Sequence, residues 1–485
     1  MAAALGHARA FVGPVIHSLS VSKLEITPLA LLIIDPQGKI NKLVKLEPDG
    51  LAEQLDQALD HLPFCLDRTN TTHLNPGEFL IPGFVDTHNH APQYAQRGLG
   101  QGMHILDWLS KITFPNEAKF SDPVYARKIY TACVEGFLRQ GITTASYFGS
   151  VHAEATRILA DICLQKRQRA YVGKCNMTRN SPDFYVEKSA GDSLRETREC
   201  ISHVRAIDPA GRLVKYVITP RFAISCDEET LKGLGDIRSE NEDLAVQTHF
   251  NEAKQEMEET QRLFPQFGGS EADLYQEFGL LGKRTILAHC CYMDEHELEI
   301  IEKLGCGVAH CPIANMTVGG GFMAAPVREL LDKKIKVGLG TDSGGGFSSS
   351  MLDAMRQAMI ASNAREVMSE GKDKGLSIAE VFYLATLGGA AVCCLEDKIG
   401  SFEAGKDFDG LIIGTKGADQ GIMTMVEEDD TLETVFEKFI MTGDDRNIVE
   451  VYVQGQYVKG QRACVQPADE LGTYQISHSI IHQAL

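Results

Sequence analysis

Residues 81–94, IPGFVDTHNHAPQY, contain the pattern from which the fold is predicted. The stretch begins with β-branched and aromatic apolar residues, the composition of a strand buried on both faces, and continues into His88-Asn89-His90. Because side chains alternate along a strand, His88 and His90 share one face and can bind one metal ion, while Asn89 points away. Asp86, on the same face, is expected to accept a hydrogen bond from a metal-bound imidazole. The alternative is a pair of packing or surface histidines.

Short apolar runs recur along the chain, and longer amphipathic segments separate them. The predicted strands are residues 81–88, 142–148, 170–177, 215–219, 244–249, 285–289, 307–310 and 336–341. The predicted helices are residues 123–139, 153–165, 192–207, 228–241, 294–303, 325–334, 351–365 and 378–387. Eight strands alternating with helices predict an α/β fold, a (β/α)8 TIM-like barrel over residues 81–395, with an open doubly wound sheet as the alternative.

Histidine and aspartate residues stand where several of these predicted strands end. His249 closes the run LAVQTH, His289 closes TILAH, His310 closes GVAH, and Asp342 follows KVGLGT. In a barrel of this kind the active site lies at the carboxyl ends of the strands. The sequence therefore predicts that these side chains and the His88–His90 pair share one metal centre.

The segments on either side of the predicted barrel have the pattern of β-sheet. Up to residue 80, short strands are predicted at residues 11–16, 23–26, 29–34 and 42–46. Between residues 396 and 460, the runs FEAGKDFDGLIIG, EKFIMTG and IVEVYVQGQYVKG are predicted as further strands. We expect both segments to join in one small β-sandwich domain, followed by a tail over residues 461–485.

Composition excludes several classes of partner. Lys+Arg 47 against Asp+Glu 66 gives a net charge of −19 over 485 residues, so the overall field repels nucleic acid and anionic membrane surfaces. No apolar run approaches the roughly 18 residues of a membrane span, and MAAALGHARA lacks the apolar core of a signal peptide. The 13 cysteines have no paired spacing, which favours reduced thiols in a cytoplasmic protein.

The residue types at the strand ends favour a catalytic zinc ion. Three or four histidines with one aspartate, and no cysteine at ligand spacing, differ from structural zinc sites, which favour thiolates and fill every position. A water at an open position on zinc reaches a pKa of about 7 and becomes a nucleophile at neutral pH. Asp342 can be a ligand, a general base, or both. If the strand turns into a helix after His249-Phe250-Asn251, the carboxylate of Glu252 is expected to return to the metal as a general acid; the alternative is a surface glutamate.

With these residues in place, the chain resembles the amidohydrolase superfamily and, within it, the guanine deaminase family. The superfamily motifs are PGFVDTHNH, the HxxE at His249, LAHCCY, AHCP and GLGTD. The narrower motifs are ITFPNEAKF, TTASYFGSVH, RAYVGK, VITPRFAISC, SMLDAMRQAM, ATLGGA and DDRNIVEVYV. Together they cover residues 80 to 458.

The resemblance implies a mechanism and a set of site residues. It implies one zinc ion per subunit held by His88, His90, His249 and Asp342, with His289 orienting the attacking water. Glu252 would pass a proton from the water to a ring nitrogen, so that guanine and water give xanthine and ammonia. The family also implies a homodimer.

The resemblance places substrate recognition on Gln93, Arg221 and Phe222. Gln93 offers a donor and an acceptor, Arg221 offers donors, and Phe222 a stacking face, which suits a planar heterocycle with a carbonyl edge. The alternatives are a salt bridge for Arg221 and a core position for Phe222. Trp108 is expected either to wall the pocket or to pack between a helix and the barrel. His310 is expected to be a hydrogen-bonded structural residue rather than part of the pocket.

Three positions depart from the family pattern. Asn89 replaces an apolar residue, Asn251 replaces a serine, and Ala314 replaces a serine that could have supplied a hydrogen bond. Neither asparagine is expected to be a ligand, so neither is expected to affect catalysis.

Two other functions fit the same sequence. One is a related deaminase or hydrolase acting on adenosine-like, pterin or triazine substrates, and the other is a non-catalytic amidohydrolase-like scaffold. Because every ligand position is filled, the scaffold is disfavoured. The other class of zinc deaminase needs a PCxxC motif, which this chain lacks.

Overall fold

The computed structural model describes residues 7–60, 62–318, 323–416 and 424–460. The chain divides into two compact units. Among the described residues, the first unit takes in those up to Phe84, Leu138–Thr143 and those from Asp397 onward, and the second takes in those of Val85–Phe137 and Thr144–Glu396. The predicted tail at residues 461–485 lies outside the described residues.

Strands occur from one end of the described chain to the other. In chain order they are β1 (Arg9–Ser20), β2 (Lys23–Ile34), β3 (Ile40–Lys45), β4 (Thr71–His73), β5 (Glu78–Pro82), β6 (Phe84–His90), β7 (Ile142–Phe148), β8 (Arg169–Gly173), β9 (Cys175–Asn176), β10 (Val214–Pro220), β11 (Ala245–Phe250), β12 (Thr285–His289), β13 (Gly307–His310), β14 (Lys336–Leu339), β15 (Gly410–Gly414), β16 (Ile448–Val453) and β17 (Gln456–Gly460).

The α-helices are α1 (Leu51–Leu59), α2 (Ile105–Trp108), α3 (Phe114–Glu117), α4 (Pro123–Arg139), α5 (Ala153–Gln165), α6 (Ala190–Ile207), α7 (Glu228–Glu240), α8 (Lys254–Leu263), α9 (Glu271–Glu277), α10 (Glu295–Leu304), α11 (Pro312–Thr317), α12 (Val327–Asp332), α13 (Met351–Met368), α14 (Ile378–Ala385), α15 (Leu387–Val392) and α16 (Leu432–Thr442). In the part of the chain that is described, none of the helices combines the length and apolar composition needed to cross a bilayer.

The first unit is built on one sheet that combines both ends of the chain. Its strand order is β17-β16-β15-β5-β1-β2-β3, with β4 beside β1. Strands β5 and β15 pair antiparallel, with Ile81 opposite Leu411, and Phe11, Leu80 and Ile412 lie in one apolar core. The prediction that the two terminal segments form a small β domain together is confirmed.

Two helices of this unit differ from the sequence prediction. The segment EKFIMTG, predicted as a strand, lies in α16, where Phe436, Phe439 and Ile440 are buried on one face. The window of seven residues is too short to reveal this period, and the capping side chain of Thr431 lies outside it. Helix α1 is absent from the prediction, although Leu51 and Leu55 pack at helical spacing against the apolar residues of β1 and β2.

The second unit is a nearly closed parallel barrel, which confirms the predicted (β/α)8 fold. Its strand order is β14-β13-β12-β11-β10-β8-β7-β6, and β9 lies beside β10. The two ends of this order meet where the Thr87 hydroxyl donates to the Leu339 carbonyl at 2.8 Å. The backbone N–H of Asp342 also donates to the His88 carbonyl at 2.9 Å. The closing seam therefore passes through the predicted metal ligands.

The predicted strand at residues 81–88 is wrong in its bounds. Its first residues belong to β5 of the other sheet, and the barrel strand β6 begins only at Phe84. Gly83 separates the two strands, and a Cβ there would lie 2.2 Å from Thr143 Oγ1. A continuous apolar run cannot reveal that its two halves pair with different sheets. The predicted strand at 170–177 is likewise divided into β8 and β9.

Candidate active site

Four buried imidazoles converge at the carboxyl ends of the barrel strands. His88 and His90 belong to the end of β6, His249 to β11 and His289 to β12, and each is at most 3% exposed. The Nε2 atoms of His90 and His249 are 3.0 Å apart. One ligand nitrogen from each of His88, His90 and His249 lies within 4.8 Å of the others.

Asp342 brings a carboxylate to the same point. Its Oδ1 lies 3.3 Å from His88 Nε2 and 3.4 Å from His90 Nε2. The residue follows β14 with a φ of 43°, a left-handed conformation that turns its side chain toward the histidines. Ligand atoms bound to one tetrahedral zinc at about 2.0–2.2 Å are separated by roughly 3.3–3.5 Å. The two distances from Asp342 fall in this range, and the 3.0 Å between the Nε2 atoms of His90 and His249 is slightly shorter.

The tautomer of His249 supports a cation site. Its Nδ1 lies 2.6 Å from the Arg221 carbonyl oxygen, which can only accept, so Nδ1 is protonated and Nε2 presents its lone pair to His90. Burial and the neighbouring histidines lower the pKa values of both His90 and His249, so both imidazoles are neutral at pH 7. Nitrogen lone pairs packed this closely, together with a carboxylate, form a donor set that can hold a metal ion.

His289 is oriented by Asn315, a residue to which the sequence motifs assign no role. The Nδ1 of His289 donates to Asn315 Oδ1 at 2.8 Å, which leaves the Nε2 lone pair facing Glu252 Oε2 at 3.6 Å. Burial lowers the pKa of His289 to about 4, although the charge of Asp342 opposes this shift. His289 is therefore a neutral acceptor beside the Glu252 carboxyl group.

Glu252 reaches the site from a loop and not from a helix, which corrects the prediction. Helix α8 begins only at Lys254, and the chain turns at Asn251, whose φ is 46°. The Asn251 backbone N–H donates to Glu271 Oε2 at 2.9 Å, and its Nδ2 donates to Glu297 Oε2 at 2.6 Å. These contacts hold Glu252 in its buried position.

The environment of Glu252 favours its protonated form. Burial raises the pKa of this carboxyl well above its usual value, and the negative charge of Asp342 raises it further. A carboxyl group whose pKa is raised in this way holds a proton more readily and is suited to general acid–base chemistry.

Asp86 does not accept from an imidazole in this structure, which corrects a second prediction. Its Oδ1 accepts from the backbone N–H of Thr341 at 2.9 Å and of His88 at 3.3 Å, and its Oδ2 from the Thr341 hydroxyl at 2.6 Å. The carboxylate thus joins β6 to the end of β14. Residue spacing predicts the correct face of the strand but cannot identify the partner across the seam.

The predicted recognition residues Gln93 and Arg221 meet at a third residue, Glu117. Gln93 Nε2 donates to Glu117 Oε1 at 2.7 Å, and Arg221 donates from Nη1 and Nη2 to the two carboxylate oxygens at 2.6 and 3.1 Å. The Tyr185 hydroxyl donates to the same carboxylate at 2.5 Å. The salt-bridge alternative for Arg221 is therefore present in the structure, beside the histidine cluster.

Aromatic rings flank the histidine cluster. Phe222 stacks on His249 with ring centres 4.1 Å apart, and Phe148 contacts the rings of His88, His90 and His249. Trp108 lies in the same apolar cluster as Phe222, and its Nε1 donates to the Leu99 carbonyl at 3.0 Å.

Two further predicted positions have clear locations. Asn89 points away from the histidines, and its Nδ2 donates to the Ser146 carbonyl at 3.2 Å. His310 is buried at the end of β13, and its pKa is lowered to about 3 by burial and by nearby His289. Its Nδ1 has no hydrogen-bond partner among the described residues, so the expected structural hydrogen bond is not seen at that atom.

Residues 79–458 match the model of the amidohydrolase family. The chain belongs to this family. It is 40% identical to the probable guanine deaminase of Schizosaccharomyces pombe, over 93% of this chain and 83% of that protein. It is 37% identical to the guanine deaminase of Homo sapiens, over 93% and 96% of the two chains. A crystal structure of guanine deaminase from C. acetobutylicum with bound guanine in the active site matches with a TM-score of 0.82 and 32% identity, covering 93% of this chain and all of that one.

Several polar residues around the site of this amidohydrolase were not predicted. Glu117 lies within the motif ITFPNEAKF, which marks the family resemblance but does not by itself give the carboxylate a role. Asn315 directly follows Ala314, where the departure from the family pattern indicates only a lost hydroxyl. Nothing in the sequence indicates that the carboxylates of Glu271 and Glu297 are buried near the site, because glutamates on a helical segment are usually solvated.

Proposed function

We propose that this amidohydrolase converts guanine and water to xanthine and ammonia. The observation that carries the proposal is the convergence of buried histidines and Asp342 beside Gln93 and Arg221, on a fold whose relatives are named guanine deaminases. One zinc ion per subunit would be held by His88, His90, His249 and Asp342. When bound, zinc would lower the pKa of a coordinated water to about 7 and so supply the nucleophile.

The chain's own residues would manage the protons. His289, with Nδ1 engaged by Asn315, offers its Nε2 lone pair to a hydrogen of the attacking water. In its ionised form, Glu252 would take one proton of that water and deliver it to a purine ring nitrogen as the water oxygen bonds to C2. Asp342 would pass the second proton of that water to the amino group as the water oxygen becomes the C2 carbonyl. The bond from C2 to nitrogen then breaks, and ammonia leaves.

Recognition of the purine would use the groups around Glu117. Gln93 Oε1 has no hydrogen-bond partner among the described residues and is available to a ligand donor. Arg221 retains N–H groups that can donate to a carbonyl oxygen. Phe222 and Trp108 would wall the ring, since Phe222 lies directly against His249.

The reaction would belong to purine catabolism and take place in a cytoplasmic homodimer. Every cysteine among the described residues is a free thiol, which fits a reducing compartment. The dimer is proposed from the family resemblance, and sedimentation of the purified protein measures it directly. The net charge of −19 is consistent with a small-molecule substrate and with no nucleic-acid or membrane partner.

The substrate is tested by ammonia release from guanine, adenine and cytosine at equal concentrations. We expect guanine to be turned over with the highest kcat/KM. A preference for adenine or cytosine would instead assign the chain to another deaminase activity.

The cofactor is tested by elemental analysis of the purified protein. We expect about one zinc per subunit, lost in a variant carrying His88→Ala and His249→Ala. Less than about half an equivalent, in protein that shows no turnover of guanine, would favour the non-catalytic scaffold.

A further inference from the structure

Glu117 is a buried carboxylate on which three side chains converge. It is fully buried at the end of α3, and it accepts hydrogen bonds from Gln93, Arg221 and Tyr185 at 2.5 to 3.1 Å. Gln93 and Arg221 are the two side chains that the proposed function assigns to purine recognition. Glu117 therefore connects both recognition groups without being one of them.

The carboxylate fixes the orientation of the Gln93 amide. An ionised carboxylate only accepts, so Gln93 must direct its NH2 group to Glu117 and its Oε1 away from it. Gln93 Oε1 is buried and has no partner among the described residues. Gly344 leaves room for this arrangement, since its φ is 128° and a Cβ there would lie 2.1 Å from that oxygen. Gln93 is thus held as an acceptor toward the site.

The same carboxylate holds Arg221 as a donor. Burial alone would lower the pKa of the guanidinium, but the adjacent Glu117 charge raises it above the usual value. The bidentate contact leaves Nε without a partner among the described residues, and Nη2 retains a second hydrogen. The second hydrogen of Nη1 faces Met177 Sδ at 3.8 Å. The backbone carbonyl of Arg221 meanwhile holds His249. Recognition and the candidate metal centre are therefore linked through one residue.

We propose that Glu117 is a positioning residue that sets substrate selectivity. By fixing Gln93 as an acceptor and Arg221 as a donor, it would make the site complementary to a ring N–H next to a carbonyl oxygen, and not to a purine without that edge. The inference rests on the proposed deamination of guanine. The simpler alternative is that Glu117 only neutralises the buried charge of Arg221.

The test compares two ligands that need no turnover. Hypoxanthine has the ring N–H and carbonyl edge, and purine lacks both, so the ratio of their dissociation constants on the zinc-loaded protein measures recognition of that edge. We expect the wild type to prefer hypoxanthine by about 100-fold or more, as two hydrogen bonds to buried groups would give. In Glu117→Gln the new amide offers both a donor and an acceptor, so the Gln93 amide can bind it in either orientation. We expect the preference for hypoxanthine to fall below about tenfold in this variant.

Glu117→Asp separates positioning from charge. Aspartate keeps the negative charge next to Arg221 but is one methylene shorter and cannot reach all three donors. The proposal predicts a reduced preference in this variant too, with zinc content equal to wild type, whereas a purely neutralising role predicts an unchanged preference. Should Glu117→Gln lose its cooperative thermal transition, the result with Glu117→Asp decides.

Glu380→Gln provides the matched control. Glu380 is also a buried partner of an arginine, accepting from Arg328 at 2.7 and 3.0 Å, but it lies on α14. We expect its ligand preference to equal wild type. If the wild type releases no ammonia from guanine, the proposed function fails. If it does, and both Glu117 variants keep the wild-type preference, only the role of Glu117 is overturned.

Discussion

At the scale of single residues, the turn at Asn251 decides where Glu252 lies. Asn251, His289 and Asp342 all have positive φ values next to the candidate metal centre. Non-glycine residues rarely adopt this conformation, and such residues cluster at functional sites. The observed contacts of Asn251 show why an asparagine suits this position: its amide reaches the carboxylate of Glu297.

Replacing Asn251 with alanine should destabilise the protein by about 2–4 kcal/mol. The change removes a hydrogen bond to a carboxylate and places a β-carbon in the left-handed region without a compensating side-chain contact. Urea unfolding measures the loss. Asn251→Gly relieves the backbone and should be less destabilising, so a glycine variant that is the less stable of the two would contradict the explanation.

Replacing Glu252 with glutamine should leave the metal bound and reduce deamination by about 10²–10⁴-fold, the usual contribution of a general acid–base. The amide keeps the size of the side chain but cannot carry the proton. Zinc analysis and ammonia release are measured on the same sample. Glu258→Gln, on the exposed face of α8, should retain wild-type activity. Full activity in the Glu252 variant would remove that residue from the mechanism.

Replacing Glu256 with glutamine should flatten the dependence of stability on pH. Burial and the charge of Glu271 raise the pKa of Glu256 well above 4.5, the value expected in the unfolded chain. Between pH 4.5 and the raised pKa of the folded state, the folded state therefore binds up to one proton more than the unfolded state, and stability falls as the pH rises, by up to about 1.4 kcal/mol per unit. Urea unfolding between pH 5 and 8 measures the slope. An unchanged slope in the variant would assign it to other groups.

At the scale of secondary-structure elements, the seam between β6 and β14 connects fold and site. Thr87 on β6 donates to the carbonyl of Leu339, the last residue of β14. Asp86 accepts from the backbone N–H of Thr341, the residue directly before Asp342. Because side chains alternate between the two faces of a barrel strand, neighbouring residues of β6 have different roles: Thr87 bonds across the seam, and His88 belongs to the candidate metal centre. The contacts that close the barrel therefore also fix the position of a predicted ligand.

Thr87→Val should cost about 1–3 kcal/mol of stability, because the Leu339 carbonyl loses a buried hydrogen-bond donor. We also expect a weaker hold on zinc, since the seam positions His88 and Asp342. Thermal melting and competition with a chelator measure the two effects. Thr87→Ser retains the hydroxyl and should be closer to wild type; equal losses in both variants would point to packing of the methyl group instead.

At the scale of the whole molecule, the candidate metal centre should stabilise the folded chain. Chelation of zinc should lower Tm by several degrees and abolish activity, because a ligand bound only by the folded state stabilises it in proportion to RT ln(1 + [L]/Kd). Adding zinc back should restore both. An unchanged Tm and full activity after removal of zinc, confirmed by elemental analysis, would contradict a catalytic metal.

The barrel and the residues brought to its carboxyl ends could be predicted from the amino-acid sequence. Both depend on local patterns: the alternation of short apolar runs with amphipathic segments, and histidines or an aspartate where each run finishes. These patterns place the histidines and Asp342 at one shared centre before any coordinates. The choice of His88, His90, His249 and Asp342 as the ligands comes from the family resemblance. Local patterns failed where a window was too short, as in α16, or where one apolar run served two sheets, as at Gly83.

The polar groups that hold the site in place could be identified only from the tertiary contacts. Glu117 meets Gln93 across 24 residues of chain, Tyr185 across 68 and Arg221 across 104. The turn at Asn251 likewise depends on Glu271 and Glu297, from helices farther along the chain. Such contacts leave no periodic trace, because the cost of burying a charge is met by a partner that folding supplies and residue spacing does not specify.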